Sequence, residues 1–141
     1  ALTAELNNLD VPTRSYTISS VRPDQVYSTL QGADAGLQLM TDPDVRLGVK
    51  IADYWAAGLP VLVNTNALGA AALVAETGAG RMIDLDSEFV ADVYEFLRAA
   101  RRGFYSDAVR RARGKVSTTA VAEEYSTLYR AVLERHIREK A

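Results

Sequence analysis

The chain has 141 residues, of which 48% are hydrophobic and 24% are charged, and its formal net charge is −2. These values predict one globular domain with a buried core and exclude a disordered chain and an integral membrane protein, because no apolar stretch approaches the ~20 residues of a bilayer span. The absence of cysteine and the single histidine, His136, argue against a disulfide framework, a zinc site and a Ser-His-Asp triad. The near-balanced charge argues against nucleic acid as a partner, and a cytoplasmic location is expected.

The predicted elements alternate between helix and strand from the start of the chain. Leucines at helical spacing indicate an opening helix that ends before Pro12, because proline disfavours helix in the residue that precedes it. Residues 14–21 form a β-prone run that predicts a strand, and residues 22–33 have the pattern of a short helix. Its inward side chains are predicted to be Val26, Tyr27 and Leu30. The apolar run 33–40 predicts a buried strand, which ends in the aspartate-rich loop 41–44.

The middle of the chain contains the clearest boundary. Residues 48–57 have helical spacing, with Trp55 on the core side, and Gly58 is predicted to stop this helix in a left-handed conformation. Residues 60–64 are continuously apolar and β-branched until the final asparagine, as expected of a strand that is covered on both faces. A polar turn then leads into a predicted helix over residues 69–76.

The last part of the chain is predicted to be mainly helical. Gly78 to Gly80 marks the end of a helix, and residues 81–85 predict a short strand. Ser87 is the expected N-cap of a helix that ends in arginines near Arg102. Two further helices are predicted over residues 106–115 and 119–141. The apolar stripe of the last helix consists of Val121, Tyr125, Leu128, Val132 and Leu133.

This alternation predicts an α/β fold. Its sheet should be parallel, with right-handed crossovers and helices on both faces, and the C-terminal helices should follow it. Ligands of such sheets bind at the carboxyl ends of the strands. The candidate site loops are therefore residues 19–22, 40–48 and 64–69.

The segment around Gly48 has the features of an anion site. A small-residue turn is predicted to open a helix directly after a strand, where free backbone N–H groups and the positive dipole end lie. Lys50 and Asp53 share one face of this helix, so that a cation for a diphosphate would lie beside an acceptor for ribose hydroxyls. The alternative interpretation is a helix-surface ion pair worth about 0.2–0.5 kcal/mol, and spacing alone favours it.

The ordered motifs KIADYWAAGLPVLVN, ALG and GAGRMID resemble the C-terminal, Rossmann-like domain of two-lobed retaining glycosyltransferases of the glycogen-synthase-like kind (group 1 family). The resemblance runs from about Ser15 to the end of the chain. It implies a nucleotide-sugar donor, a saccharide or lipid-linked acceptor, and no metal or cofactor. It also implies a domain that lacks its first strands and its acceptor-binding lobe and is inactive alone. The open sheet edge left by those strands would be filled by the missing lobe of the same protein, by a partner or by self-association.

The resemblance implies roles for individual residues. Two acidic residues separated by seven others flank the donor in that family, and the second corresponds to Asp53, which would bind the ribose. The first falls on Val45, which cannot accept a hydrogen bond, so that Asp44 is its substitute only if the loop shifts. Lys50 would stabilise the leaving diphosphate as the catalytic cation.

The remaining implied donor contacts lie in the three candidate loops. The nucleobase is assigned to the backbone of Ser20 and Val21, and the phosphates to Leu47, Gly48 and Val49. The lining of the cleft is assigned to the turn from Asn64 to Gly69. Without a ligand, Ser20 and Val21 would be an ordinary strand end, and Asn64 to Gly69 an N-capped turn.

Two other classes of function compete with this one. A phosphoacceptor signalling domain would need an acidic pair after its first strand, which the sequence does not provide. A non-catalytic binding or scaffold module that has lost its site is supported by Val45. The basic segment from Arg98 to Lys115 indicates either peripheral contact with anionic lipid at the inner membrane face or a pair of solvated helices neutralised by nearby acids.

Overall fold

The described residues form a three-stranded parallel sheet. The computed structural model describes residues 6, 8, 9, 12–46, 48–85 and 89–140. Strands β1 (Gly36–Gln38), β2 (Val61–Asn64) and β3 (Gly80–Ile83) lie in the order β1-β2-β3. The prediction of an α/β fold with a parallel sheet is therefore confirmed.

Six α-helices accompany the sheet within the described residues. They are α1 (Val26–Leu30), α2 (Lys50–Ala56), α3 (Leu68–Thr77), α4 (Phe89–Arg101), α5 (Ser106–Lys115) and α6 (Thr118–Lys140). Helix α2 connects β1 to β2 and helix α3 connects β2 to β3, as parallel strands require a crossover connection. Both α2 and α3 contact helix α5, and α5 contacts the long helix α6.

The core surrounds the central strand β2, whose four residues are all buried. The sequence of this strand is continuously apolar until Asn64, which matches the prediction of a strand covered on both faces. Trp55 of α2 is fully buried, and its indole Nε1–H donates a hydrogen bond to the Ala79 carbonyl oxygen at 3.1 Å. The predicted core position of Trp55 is confirmed. Other buried members of the core include Ile51, Val61, Val63, Val74, Phe96 and Val109.

The helix stops predicted at glycines are confirmed. Gly58 follows α2 with a φ of 82°, and Gly78 follows α3 with a φ of 67°. Both angles lie in the left-handed region that terminates helices. The predicted bounds of α2 and α3 differ from the observed ones by one or two residues at each end, and β2 begins one residue later than predicted and ends at Asn64 as predicted.

The predicted strand over residues 14–21 is wrong. Thr13–Ser15 form a 3₁₀ turn, and the residues that follow are irregular up to a second 3₁₀ turn at Pro23–Gln25. Ile18 is 52% exposed and Val21 is 39% exposed. A β-prone run becomes a strand only beside another strand, and β1 pairs within the described residues with β2 alone.

Two predicted apolar contacts with the core are also absent from the described residues. Tyr27 of α1 is 51% exposed and does not face inward. The apolar stripe of α6 is exposed, with Tyr125 and Tyr129 stacked on each other at a ring-centroid distance of 6.4 Å.

No helix in the described ranges has the length and apolar character needed to cross a bilayer. The predicted N-cap at Ser87 and most of the predicted opening helix lie outside the described residues.

Candidate functional site at the carboxyl edge of the sheet

The loops that follow β1 and β2 are joined by hydrogen bonds. Asn64, the last residue of β2, is 1% exposed, and its side-chain amide donates to the Met40 carbonyl oxygen (2.8 Å) and accepts the Met40 N–H (2.9 Å). Further along, Asn66 Nδ2 donates to the Thr41 carbonyl oxygen at 2.8 Å, and the Asp44 N–H donates to the Asn66 carbonyl oxygen at 2.8 Å. These contacts make the two loops one continuous wall, as expected for loops at the same edge of a parallel sheet.

The start of α3 is pressed against the same wall at Gly69. The Gly69 N–H donates to the Asp44 carbonyl oxygen at 3.4 Å. A methyl group at position 69 would overlap the Val45 carbonyl oxygen, so that only glycine permits this approach. Gly69 therefore supports the wall through its backbone.

Asp44 and Arg46 form a fork-like ion pair at the outer end of the wall. Arg46 Nε donates to both carboxylate oxygens at 3.0 Å, Nη2 donates to Oδ2 at 2.6 Å, and the Arg46 backbone N–H donates to Oδ1 at 2.9 Å. The Asp44 side chain is 14% exposed, whereas that of Arg46 is 84% exposed. The hydrogen bonds from the Arg46 side chain and backbone lower the pKa of Asp44 from 3.8 to about 2. The predicted role of Asp44 as an acceptor for the transferred sugar would therefore require release of Arg46.

We expect this ion pair to make the stability of the chain acid-sensitive below about pH 4. Because the folded-state pKa of Asp44 (about 2) lies below its reference value of 3.8, the ionised carboxylate stabilises the fold above that value. The stabilisation should disappear as the pH falls from 3.8 towards 2. Urea unfolding midpoints of the wild type and of Asp44→Asn, measured from about pH 5 to pH 2, check this expectation.

The midpoint of Asp44→Asn should fall less over this interval than that of the wild type. Asp24→Asn is the matched control, because it removes an exposed carboxylate that is also paired with an arginine two residues away, Arg22. Equal pH dependence in the wild type and Asp44→Asn would contradict the expectation.

A groove of about 460 Å³ opens beside the wall, between the end of β1 and the start of α2. Residues 37–40, Asp44, Arg46 and residues 48–50 line it. Gly48 has a φ of 37°, in the left-handed region that favours glycine, and a side chain there would press on the amide group of Gln38. The Gln38 Oε1 atom is buried and has no hydrogen-bond partner among the described residues. A ligand hydroxyl would reach this acceptor only after the Gln38 side chain turns towards the groove.

The structure brings together four of the predicted site residues in this groove. Asp44, Gly48, Val49 and Lys50 all line it, and Lys50 is exposed at the first position of α2. Among the described lining residues, Lys50 is the cation that no carboxylate pairs. The predicted phosphate contact at Leu47 lies outside the described residues.

The other predicted site residues do not line the groove. Asp53 is exposed and lies one turn after Lys50 on α2, so its contact with a ribose stays a prediction. Ser20 and Val21 are exposed on an irregular segment outside the sheet, so the strand end predicted to hold the nucleobase does not exist. Asn64 does not line a cleft, because its amide is buried and bonded to Met40.

Two further expectations for this region need correction. Helix α2 does not follow its strand directly, since residues 39–49 separate it from β1. It has seven residues, so its dipole contributes less than the prediction assumed. Sequence reasoning also missed Gln38, because a polar residue within a short strand gives no signal of where its amide points. The Asp-x-Arg spacing of residues 44–46 was the available signal for the ion pair.

The basic segment from Arg98 to Lys115 is partly neutralised by acids. Arg101 pairs with Asp34 at 2.9 Å, Arg110 pairs with Asp107 at 2.6 Å, and Lys115 pairs with Glu76. These pairs are exposed and therefore individually weak. They favour solvated helices over a membrane-binding face, and membrane contact through this segment stays a prediction.

Within the described ranges, no group of three or more His, Cys, Asp and Glu side chains is placed to hold a metal ion. No known protein family, curated protein or solved structure matches the chain. The chemistry of the groove beside β1 therefore carries the functional inference.

Proposed function

We propose that the groove beside β1 binds the diphosphate of a nucleotide-sugar donor, and that the chain is the donor-binding, Rossmann-like part of a glycosyltransferase. One observation carries this proposal. Lys50, the left-handed turn at Gly48 and Gln38 line one groove at the carboxyl edge of a parallel sheet, and the buried Gln38 Oε1 has no hydrogen-bond partner among the described residues. Ligands of open α/β sheets bind at this edge.

The charges around the groove suit a diphosphate. Arg46 neutralises the carboxylate of Asp44, so that this acid does not repel a phosphate. Because Lys50 is not paired among the described lining residues, the net charge of the groove is positive. A charge-assisted hydrogen bond from the Lys50 ammonium group to a phosphate oxygen is stronger than a hydrogen bond between neutral groups. Gly48 allows the backbone of the turn to approach the same phosphate.

In the transfer reaction, Lys50 would act on the leaving group. The bond between C1 of the sugar and the diphosphate oxygen breaks, and the bonding electrons leave with the nucleoside diphosphate. The acceptor hydroxyl oxygen bonds to C1, and its proton passes to the leaving diphosphate. An ammonium group held beside the diphosphate stabilises the negative charge that develops there in the transition state.

Asp53 and Gln38 are two candidate ribose acceptors. Asp53 is exposed on the same helix as Lys50 and offers a carboxylate, which can accept two hydroxyl hydrogen bonds. Gln38 lines the groove, and its buried Oε1, which lacks a partner among the described residues, would meet a ribose hydroxyl once the side chain turns outwards. Binding to Asp53 would place the ribose over the first turn of α2, whereas binding to Gln38 would place it against β1.

Calorimetric titration of the full chain with UDP-, GDP- and ADP-sugars tests the proposal. We expect Lys50→Gln to weaken binding about tenfold, since one charge-assisted phosphate contact is worth roughly 1.5–3 kcal/mol and part of it is screened in an open groove. Arg111→Gln is the control, because it removes an exposed cation from α5, outside the groove. The proposal fails if none of these donors binds, or if both variants bind as the wild type does.

The same titration separates the two ribose acceptors. Asp53→Ala should weaken binding if the carboxylate holds the ribose, and Gln38→Leu should weaken it if the amide does. Undiminished binding by Asp53→Ala would remove Asp53 from the site.

A non-catalytic binding module is the second candidate function. Val45 occupies the position at which the family resemblance places the first acid, and its side chain is 76% exposed and apolar. The neighbouring Asp44 is held by Arg46. Because the donor-binding part is expected to be inactive alone, the deciding measurement is release of nucleoside diphosphate by the intact protein, with and without an acceptor extract: donor binding without acceptor-dependent release favours the module.

A further inference from the structure

The apolar stripe of α6 is covered by no other described part of the chain. Its side chains from Tyr125 to Leu133 are 57–60% exposed, and Tyr129 and Ile137, which lie beside it, are 65% and 66% exposed. All residues from 121 to 138 are exposed. A continuous apolar surface of this kind in contact with water is typical of a protein–protein interface.

The shape of this surface suits pairing with another helix. Helix α6 has 23 residues and is therefore about 35 Å long. The stripe advances mainly by steps of three or four residues, so that it follows one face of the helix. A second helix that lies alongside would cover the stripe over its whole length and remove it from water.

The charges of α6 are divided between its two halves. Residues 118–129 contain two glutamates and no basic residue, whereas residues 130–138 contain three arginines, one glutamate and a histidine that is counted as neutral. The net charges of the two halves are therefore −2 and +2. Such a helix is complementary to a reversed copy of itself, and a parallel copy would place each half level with the half of the same charge.

We propose that two copies of the chain pair through α6 in antiparallel orientation, with their apolar stripes facing each other. The charge pattern selects this occupant, because complementarity to its own reversed copy is what a two-fold symmetric interface requires and what a different protein would not require. The dimer does not rest on the proposed donor site, since residues 121–138 lie outside the described lining of the groove beside β1.

The spacing of two charged residues suggests the register of the pair. Glu124 and Arg135 are eleven residues apart, which is close to three helical turns, so they lie on the same face of α6. Glu124 borders the stripe, because it lines one pocket together with Val121, Tyr125 and Leu128. A two-fold axis level with Tyr129 would place Glu124 of each copy opposite the partner's Arg135.

Sedimentation equilibrium of the full chain over the micromolar concentration range tests for the dimer. We expect a reversible equilibrium between monomer and dimer, because the apolar stripe of each copy leaves water when the helices pair. A chain that stays monomeric at the highest concentration would overturn the proposal and assign the stripe to a different partner.

Two matched tyrosines show whether α6 forms the interface. Tyr129 of α6 is 65% exposed and Tyr94 of α4 is 68% exposed. Tyr129→Asp should weaken dimerisation at least about tenfold, because it places two like charges close together at the centre of an apolar interface, and Tyr94→Asp should leave it unchanged. A dimer that survives Tyr129→Asp unchanged would pair through another surface, such as the open edge of β1, and would overturn the proposal.

Charge reversal tests the antiparallel orientation. Glu124→Arg and Arg135→Glu should each weaken dimerisation about fivefold, because each creates two like-charge contacts across the interface. The double variant should dimerise as the wild type does, since the same contacts return with opposite polarity. Single variants that dimerise as the wild type does, or a double variant that does not recover, would overturn the antiparallel pair.

Discussion

Asn64→Ala should lower the free energy of unfolding by about 3 kcal/mol, because it leaves two part-buried backbone groups of Met40 without hydrogen bonds. The Asn64 amide satisfies both the N–H and the carbonyl group of Met40. Each unsatisfied buried group costs about 1–3 kcal/mol, and the space left by the amide adds to this cost. Urea unfolding at neutral pH measures the effect.

The matched control for this substitution is Asn66→Ala. Asn66 bonds to the same loop through its side chain, but it is half-buried and makes one such bond, to the Thr41 carbonyl oxygen. Its loss should cost about 1 kcal/mol. A smaller loss of stability for Asn64→Ala than for Asn66→Ala would show that the Met40 groups find other partners. Because Met40 also lines the groove beside β1, Asn64→Ala should in addition weaken donor binding.

Gly80→Ala should destabilise the chain by a similar amount, about 4 kcal/mol, through a clash between strands. Gly80 lies directly opposite Val61 in the pairing of β2 with β3. A methyl group at position 80 would overlap the carbonyl oxygen of Val61 and press on its carbonyl carbon and nitrogen. These are backbone atoms of the central strand, which cannot rotate away, so the strands must separate at this point.

Gly114→Ala is the control for the added methyl group. Gly114 lies in α5, and a methyl group there would meet no atom within 4 Å. Alanine is the better helix former by roughly 0.8–1 kcal/mol, so this variant should be as stable as the wild type or more stable. Comparable destabilisation by both substitutions, measured by urea unfolding, would contradict the account of Gly80.

The parts of the fold that local sequence determines could be predicted. The run from Val61 to Val63 is β-branched or apolar at every position, and Gly58 and Gly78 occupy left-handed helix stops. Each of these signals lies within a few residues of the feature that it specifies. The strand expected over residues 14–21 failed because a strand also depends on a neighbour, which local sequence does not reveal.

The candidate site could be predicted at the level of loops but not of atoms. The rule that ligands bind at the carboxyl ends of parallel strands identified the loops after β1 and β2, which do meet. It could not show that the Asn64 amide bonds to Met40, that Arg46 pairs with Asp44, or that Gln38 Oε1 lacks a partner in the part of the chain that the structure describes. These features depend on side-chain directions set by packing between distant parts of the chain.

The single tryptophan of the chain supplies an intrinsic optical signal for these experiments. Trp55 is fully shielded from solvent and bonded to Ala79, on the helix that begins at Lys50. An indole in such surroundings emits at shorter wavelength than one in water, so unfolding shifts its fluorescence to the red. The stability of every variant described above can accordingly be followed in unlabelled protein from one chromophore, whose position is the same in all of them.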